Sequence, residues 1–285
     1  MTRDRSLWAE SVSRLLDHSA AVASLAILSA MVGAAVIGPW LSPHQAEVLD
    51  WSMMGAPPDL LSGHWMGTDR LGRDLLVRTL EGMRISLLIA VAAAIVSLVL
   101  GTLWGAIAGY SGGRIDSVMM RGVDVLFAMP TLFFVILLTT LFSRSPLLLI
   151  ACIGLTGWLT VARVVRSETM ALASREFIEA SVASGARPAG VVFRHLVPNL
   201  AGTVVTYATL LIPQMILVES FLSFLGIGVQ EPASSLGNLI AEGAAELDAA
   251  PWMLVGPAAC LVLLVFCFNY LGDGLRDALD PRRRR

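Results

Sequence analysis

The sequence has 285 residues but no lysine, and charged residues of all kinds make up only 15% of it. A soluble domain carries roughly 25% charged residues, so this composition, with 56% hydrophobic residues, excludes an ordinary soluble protein. The net charge of −2 gives no indication of a nucleic-acid partner. A P-loop needs a lysine against the phosphates, so the chain cannot hydrolyse ATP by that route.

Residues that commonly carry catalysis or bind metals are also scarce. The three cysteines have no ligand spacing and lie in apolar segments, so we expect them to be small packing residues. The four histidines show neither an HxxxH nor an HExxH spacing. Apolar segments contain no Ser–His or paired-Asp arrangement of the kind an intramembrane protease would need. The sequence therefore predicts no metal site and no catalytic site.

Long apolar runs are the dominant feature of the sequence. A membrane-spanning helix needs roughly 20 apolar residues, and the sequence predicts six spans in one domain over residues 19–285, preceded by a cytoplasmic tail over residues 1–18. An all-α polytopic membrane protein follows from this count. The predicted spans cover residues 19–41, 85–109, 119–142, 147–166, 200–226 and 251–272.

Arginine placement predicts the orientation, because basic residues concentrate on the cytoplasmic side. With both termini inside, fifteen of the twenty arginines lie in cytoplasmic tails and loops. Four of the five exceptions lie in residues 69–84, where leucines recur at helical intervals between charges. This pattern predicts an amphipathic helix in the outer interface, either as a plain anchor or as a binding surface. The last outer loop, about 227–250, is acidic and has no arginine.

One long polar interruption lies between the fourth and fifth predicted spans, over residues 167–199. Residues 168–184 lack a helix breaker and should be helical. Gly185 followed by Pro188 should end that helix, and a second short helix is expected over about 189–196. The predicted product is a compact helix–turn–helix on the cytoplasmic surface that presents Glu176, Glu179 and Arg187. On pattern alone it is either a simple connection or a docking element, and its length favours docking.

The residues of this interruption resemble the EAA loop of ABC-importer permeases. That loop is written EAA, three residues, Gly, nine residues, I-x-L-P. The matching positions are Glu179, Ala180, Gly185 and Pro198, whereas Ser181, His195 and Val197 depart from the pattern. Each departure is modest in size, so the docking shape should survive.

The resemblance extends over nearly the whole chain. Five further strings look like the C-type permease of oligopeptide and dipeptide ABC importers, and the oligopeptide branch looks closest. The strings are GTDRLGRDLLVR at 67–78, GMRISL at 82–87, GGRIDSVMMR at 112–121, ESFLSFLGIGVQEP at 219–232 and FNYLGDGLRDALDP at 268–281.

The resemblance implies a type I importer permease fold with six spans in a bacterial inner membrane, and a transport subunit rather than an enzyme. It implies a second, homologous permease and two ATPase subunits that bind ATP and Mg²⁺, while the chain itself needs no cofactor. An extracytoplasmic binding protein would deliver the peptide, although dipeptides, nickel or another small solute remain alternatives. The EAA-like loop would be the coupling element, with Glu176, Glu179, Ala180, Ser181, Gly185, Arg187 and Pro198 facing an ATPase.

A transport path needs helices that can move and polar groups that face it. Pro130 and Pro213 each remove a backbone hydrogen bond within a predicted span, so they either gate the path or serve static packing. Glu219 lies within the fifth span and should face the path or pair with an arginine of the outer helix. The rival class is an ion-coupled secondary transporter, for which Glu219 is the one candidate group.

Two further charged features invite simpler interpretations. Asp124 lies near the cytoplasmic end of the third predicted span, where it could pair with Arg121 or with a partner subunit. The C-terminal arginines can contact anionic lipid headgroups or serve only as a topology signal.

Overall fold

The computed structural model describes residues 15–142 and 145–279, and within these ranges the chain is helical, with two isolated β-bridges and no β-strand. The N-terminal arginines, Arg144 and the C-terminal basic tail lie outside the described residues. The helices are α1 Ser19–Leu41, α2 Leu75–Ser111, α3 Gly113–Ala128, α4 Thr131–Leu141, α5 Pro146–Ala173, α6 Glu176–Ala183, α7 Ala201–Phe224, α8 Leu236–Ala245 and α9 Trp252–Leu279.

Five of these helices are long and apolar enough to cross a membrane, namely α1, α2, α5, α7 and α9. The helices α3 and α4 are long and apolar enough to cross a membrane only when they are taken together. They are bent by 81° relative to one another. The break falls at Met129 and Pro130, and Pro130 stands directly before α4. The third predicted span thus corresponds to two helices joined at a sharp bend rather than to one kinked, continuous helix.

The centre of the bundle is a close contact between α2 and α5. Gly101, Gly105 and Gly109 form a GxxxGxxxG row on α2, a pattern that lets helix backbones approach closely in membranes. A Cβ added to Gly105 would lie 2.5 Å from the carbonyl oxygen of Ala162, and one added to Gly109 would lie 2.7 Å from that of Arg166. Only glycine permits this separation, so the row sets the distance between the two helices.

Two predicted helix boundaries differ from the structure. Residues 69–84 do not form a separate interfacial helix, because Asp74 caps the N-terminus of α2 through its carboxylate and residues 75–84 are the first turns of that helix. The helix predicted over residues 168–184 is divided, since α5 continues to Ala173 and α6 begins at Glu176.

Candidate functional site

The EAA-like segment, residues 174–200, folds as a compact unit at the end of the bundle where α2 and α5 also end. Residue 174 ends α5, α6 follows, and the chain returns through Pro188–Gly190, a π-helix over Val191–Leu196 and a last helical turn, Val197–Asn199. The expected helix–turn–helix is present, and its second part contains the π-helix.

Gly185 ends α6 with a Schellman motif. Its φ of +86° is in the left-handed region that glycine adopts at low cost. The amide of Ala186 donates to the carbonyl of Ser181 at 3.1 Å, and the amide of Gly185 donates to that of Val182 at 2.9 Å. These are the two hydrogen bonds that define the motif. A Cβ at Gly185 would meet nothing within 4 Å inside the chain, so within the chain only the backbone conformation requires glycine.

Buried apolar residues hold this segment against the bundle. Ile178 of α6 is 2% exposed. Val191, Leu196 and Leu200 are also buried, and all four residues belong to the same hydrophobic core as residues of the long helices. The segment is thus fixed to the helices that cross the membrane. A force applied to its outer face would be transmitted to those helices rather than absorbed by a loop.

The expected coupling residues form the opposite, outward-facing side. Six of the seven are exposed and Ser181 is half-buried; the seven are Glu176, Glu179, Ala180, Ser181, Gly185, Arg187 and Pro198. Sequence reasoning missed three apolar neighbours, since Phe177, Val182 and Phe193 are 44%, 49% and 58% exposed. Glu179 and Val182, three residues apart in one short helix, could have indicated a mixed apolar and acidic face.

The second part of the segment ends at Pro198, which has no amide hydrogen to offer the carbonyl of Arg194. The π-helix lies directly before it, and the side-chain amide of Asn199 donates to the carbonyl of His195 at 2.6 Å. Pro198 does not interrupt the path into the fifth predicted span. Instead the helical path continues through it to α7, which begins at Ala201.

At the other end of the bundle, buried arginines join the start of α2 to the acidic outer loop. Arg78 is 1% exposed and contacts Asp69 at 2.5 Å and Glu242 at 2.8 Å. Arg73 contacts Asp69 at 2.6 Å and Glu231 at 3.1 Å. Burial alone would lower the pKa of Arg73, but its hydrogen bonds to the two carboxylates raise the pKa above the usual arginine value.

This network explains why arginines accumulate at the predicted outer side. Three of them pair with acids of the last outer loop, because Arg70 also contacts Glu246 at 3.3 Å. Opposite charges from segments more than 150 residues apart thus compensate one another. The basic segment, residues 69–84, and the acidic loop, residues 227–250, are thus parts of one ion-pair network.

Glu219 is 0% exposed, and its described hydrogen bonds come from serines rather than from an arginine. The hydroxyl of Ser223 donates to its carboxylate at 2.8 Å, and the hydroxyl of Ser220 lies at 3.4 Å. Hydroxyls of Ser86 on α2 and Ser235 at the start of α8 complete the set. The carboxylate ties three helices together inside the chain.

The two prolines of the expected path differ in their surroundings. Pro130 lies at the break between α3 and α4 and is exposed. Pro213 is buried within α7, which continues through it as a helix. Asp124 pairs with Arg163 of α5 at 2.7 Å rather than with Arg121. That exposed pair links α3 to α5.

Two histidines that appear unrelated in the sequence meet in the structure. The rings of His44 and His64 stack with centroids 4.2 Å apart, and Nδ1 of His64 lies 2.8 Å from Oδ2 of Asp74. One potential ligand atom from each of the three residues falls within 4.8 Å of the others. Residues 42–74 fold back on themselves, and this brings together two histidines that no sequence spacing connects.

Comparison with known proteins decides the family. The family of binding-protein-dependent transport system inner membrane components matches residues 101–285, and the N-terminal transmembrane domain of oligopeptide transport permease C matches residues 6–58. The chain belongs to the binding-protein-dependent permease family. It is a multi-pass inner membrane transport subunit and not an enzyme.

Relatives of this permease cover almost its whole length. The oligopeptide transport system permease protein OppC of Escherichia coli (strain K12) is 52% identical over 280 residues, which are 98% of this chain and 93% of the relative. OppC of Haemophilus influenzae is 49% identical over 98% of this chain and 90% of its own. The dipeptide transport system permease protein DppC of Bacillus subtilis is 42% identical over 95% and 85% respectively.

Proposed function

We propose that this permease forms half of the membrane path of an ATP-driven oligopeptide importer and that residues 174–200 seat in a groove of an ATPase subunit. The observation that carries the proposal is the two-sided construction of that segment. Buried Ile178 and Leu196 join it to the core, while Glu179, Phe177 and Val182 point outward. Relatives named as oligopeptide permeases support an oligopeptide cargo, with dipeptides, nickel or another small solute as the alternative.

The second half of the path would come from a homologous permease. The faces of α3 and α4 support this arrangement, because Val118, Val125 and Phe133 are 70%, 66% and 63% exposed. Such apolar faces suit either lipid or another helix bundle. In this proposal Pro130, at the break between these helices, would act as a hinge at the boundary with the second permease.

ATP and Mg²⁺ would be bound by the two partner ATPases, since the chain has no lysine for a P-loop. Both termini would face the cytoplasm by the arginine distribution. The outer surfaces, residues 42–84 and 227–250, would then receive the peptide-loaded binding protein. Exposed Trp51, Leu61 and Trp65 lie in the first of these surfaces.

The test is uptake and ATP hydrolysis by the reconstituted complex of both permeases, the ATPases and the binding protein. Glu179→Arg should abolish peptide uptake and the stimulation of ATP hydrolysis by loaded binding protein, because it reverses a charge at the proposed contact. Asp17→Arg is the matched control. It reverses an exposed charge at the same predicted side, outside the segment, and should retain uptake.

Variants at Gly185 distinguish a close contact with an ATPase from the need for glycine at a positive-φ position. Gly185→Ala strains the positive-φ backbone with little added bulk, whereas Gly185→Trp adds strain of the same kind and also bulk, where nothing in the chain lies within 4 Å. If an ATPase approaches closely, the tryptophan variant loses uptake and the alanine variant keeps most of it. Normal uptake by both Glu179→Arg and Gly185→Trp, with expression verified by blot, would refute the coupling role.

A further inference from the structure

The outer segment between α1 and α2 contains an arrangement that the transport role does not use. His44 follows α1, His64 lies midway through the segment, and Asp74 is the N-cap of α2. His64 and Asp74 are 6% and 3% exposed, and His44 is half-buried. Three separate parts of the segment therefore bring two imidazoles and one carboxylate together in a protected place.

One nitrogen in this cluster lacks a partner. Nε2 of His44 is buried and has no hydrogen-bond partner among the residues that the structure describes. Buried polar atoms are nearly always satisfied, so each exception requires an explanation such as a bound ion or water. The absence of a side chain at Gly63 keeps the space beside this nitrogen open, because a Cβ added there would lie 3.1 Å from it.

The remaining groups are arranged as metal ligands usually are. Oδ1 of Asp74 already accepts a hydrogen bond from the amide of Val77 at 2.8 Å, which fixes the carboxylate and leaves Oδ2 toward His64. In metal sites, a side chain that binds the ion is typically held in its orientation by a hydrogen bond to another group, as the carboxylate of Asp74 is here. The cluster also borders a cavity of about 220 Å³, lined in addition by Pro43, Gln45, Val48, Asp50 and Gly72. That volume leaves room for water to complete the coordination.

We propose that His44, His64 and Asp74 bind a divalent transition-metal ion, and that this ion is Zn²⁺. Two imidazole nitrogens with one carboxylate oxygen suit zinc and its neighbours better than Mg²⁺ or Ca²⁺, which prefer all-oxygen sites. The ligand atoms, within 4.8 Å of one another, need only small side-chain movements to share one ion. The ion would fasten the end of α1 to the beginning of α2 across the outer segment, independently of the coupling role.

The test measures zinc bound by the permease purified with its partner subunits through a tag without histidines. After chelation and dialysis, Zn²⁺ is added at increasing concentration and the bound metal is measured by mass spectrometry. We expect one zinc per permease chain, and an upward shift of the thermal unfolding midpoint that a chelator reverses. His44→Ala should weaken binding at least about tenfold and remove the shift.

His44→Ala is the informative variant because it leaves the His64–Asp74 hydrogen bond in place. His64→Ala should also lose zinc, but that variant removes a structural contact as well. The control is His18→Asn, which keeps a side-chain cap at the start of α1, where His18 now accepts from the amide of Ala21. The control should bind zinc as the parent does.

X-ray absorption at the zinc edge identifies the ligands. A shell of nitrogen and oxygen with imidazole scattering supports the site. Sulfur in the shell would assign the zinc to the cysteines of the spans and overturn the proposal. So would equal zinc binding by the parent and His44→Ala, or no binding at micromolar zinc.

Discussion

Arg78 at the start of α2 and Glu242 of α8 form a two-point ion pair, with Nη1 to Oε2 at 2.8 Å and Nη2 to Oε1 at 3.1 Å. The pair joins residues 164 positions apart in the sequence. Arg78 also contacts Asp69 and the hydroxyl of Ser234. One guanidinium thus holds the outer loop of the last two spans against the second span.

Arg78→Met should destabilise the permease strongly, because it leaves the carboxylate of Glu242 partly buried without its partner. Breaking a buried pair from one side costs about 3–5 kcal/mol, and we expect the lower end because Asp69 keeps Arg73. The thermal unfolding midpoint in detergent is the measurement. Arg70→Met is the control, since the exposed pair with Glu246 contributes about 0–1 kcal/mol. Equal midpoints for the two variants would mean that the network is not structural.

Gly105→Ala should loosen the contact between α2 and α5. The added Cβ would lie 2.5 Å from one backbone oxygen and 2.8 Å from a backbone nitrogen, neither of which can move without moving α5. We expect a lowered unfolding midpoint and reduced yield of folded protein on size-exclusion chromatography. Gly33→Ala in α1 makes the same change where nothing lies within 4 Å, so it should be neutral or slightly stabilising. A destabilised Gly33→Ala with an unaffected Gly105→Ala would contradict the packing.

Glu219→Gln distinguishes a structural carboxylate from a proton-coupling one. The amide keeps an oxygen that can accept from Ser223, so folding and ATP-dependent uptake should stay within about twofold of the parent. Glu219→Leu leaves the serine hydroxyls without an acceptor and should cost about 1–3 kcal/mol of stability. Uptake driven by a proton gradient in the absence of ATP, and abolished in Glu219→Gln, would favour the secondary-transporter alternative instead.

Much of the fold could be predicted from the sequence. Apolar runs mark the spans closely, as for α1, whose ends at Ser19 and Leu41 are the predicted ones. Local chemistry placed the end of α6 correctly, because Gly185 needs only its own backbone conformation to stop a helix. These features depend on neighbours within a few residues.

The features that could not be predicted depend on distant partners. Arg78 looks like an exposed charge in its own segment and is buried only because Glu242 and Asp69 neutralise it. Glu219 looks like a path residue until serines from two other helices surround it. His44 and His64 are 20 residues apart and meet only through a folded loop. The periodicity of apolar residues along a helix does not indicate contacts between residues that are distant in the sequence.

Cysteine labelling tests the orientation. In a variant whose native cysteines are replaced by alanine, Leu61→Cys should react with a membrane-impermeant maleimide in intact spheroplasts, because Leu61 is 98% exposed in the outer segment. Val182→Cys, in the coupling segment and 49% exposed, should react only after permeabilisation. The reverse labelling pattern would invert the topology.

Photo-cross-linking in the assembled complex tests the central claim most directly. Phe177 and Trp51 are both exposed aromatic residues, at opposite ends of the bundle, and each can be replaced by benzoylphenylalanine with little change in shape. Illumination should join position 177 to an ATPase subunit, and position 51 should give no ATPase adduct. An ATPase adduct from position 51, with none from position 177, would contradict the assignment of residues 174–200 as the coupling element.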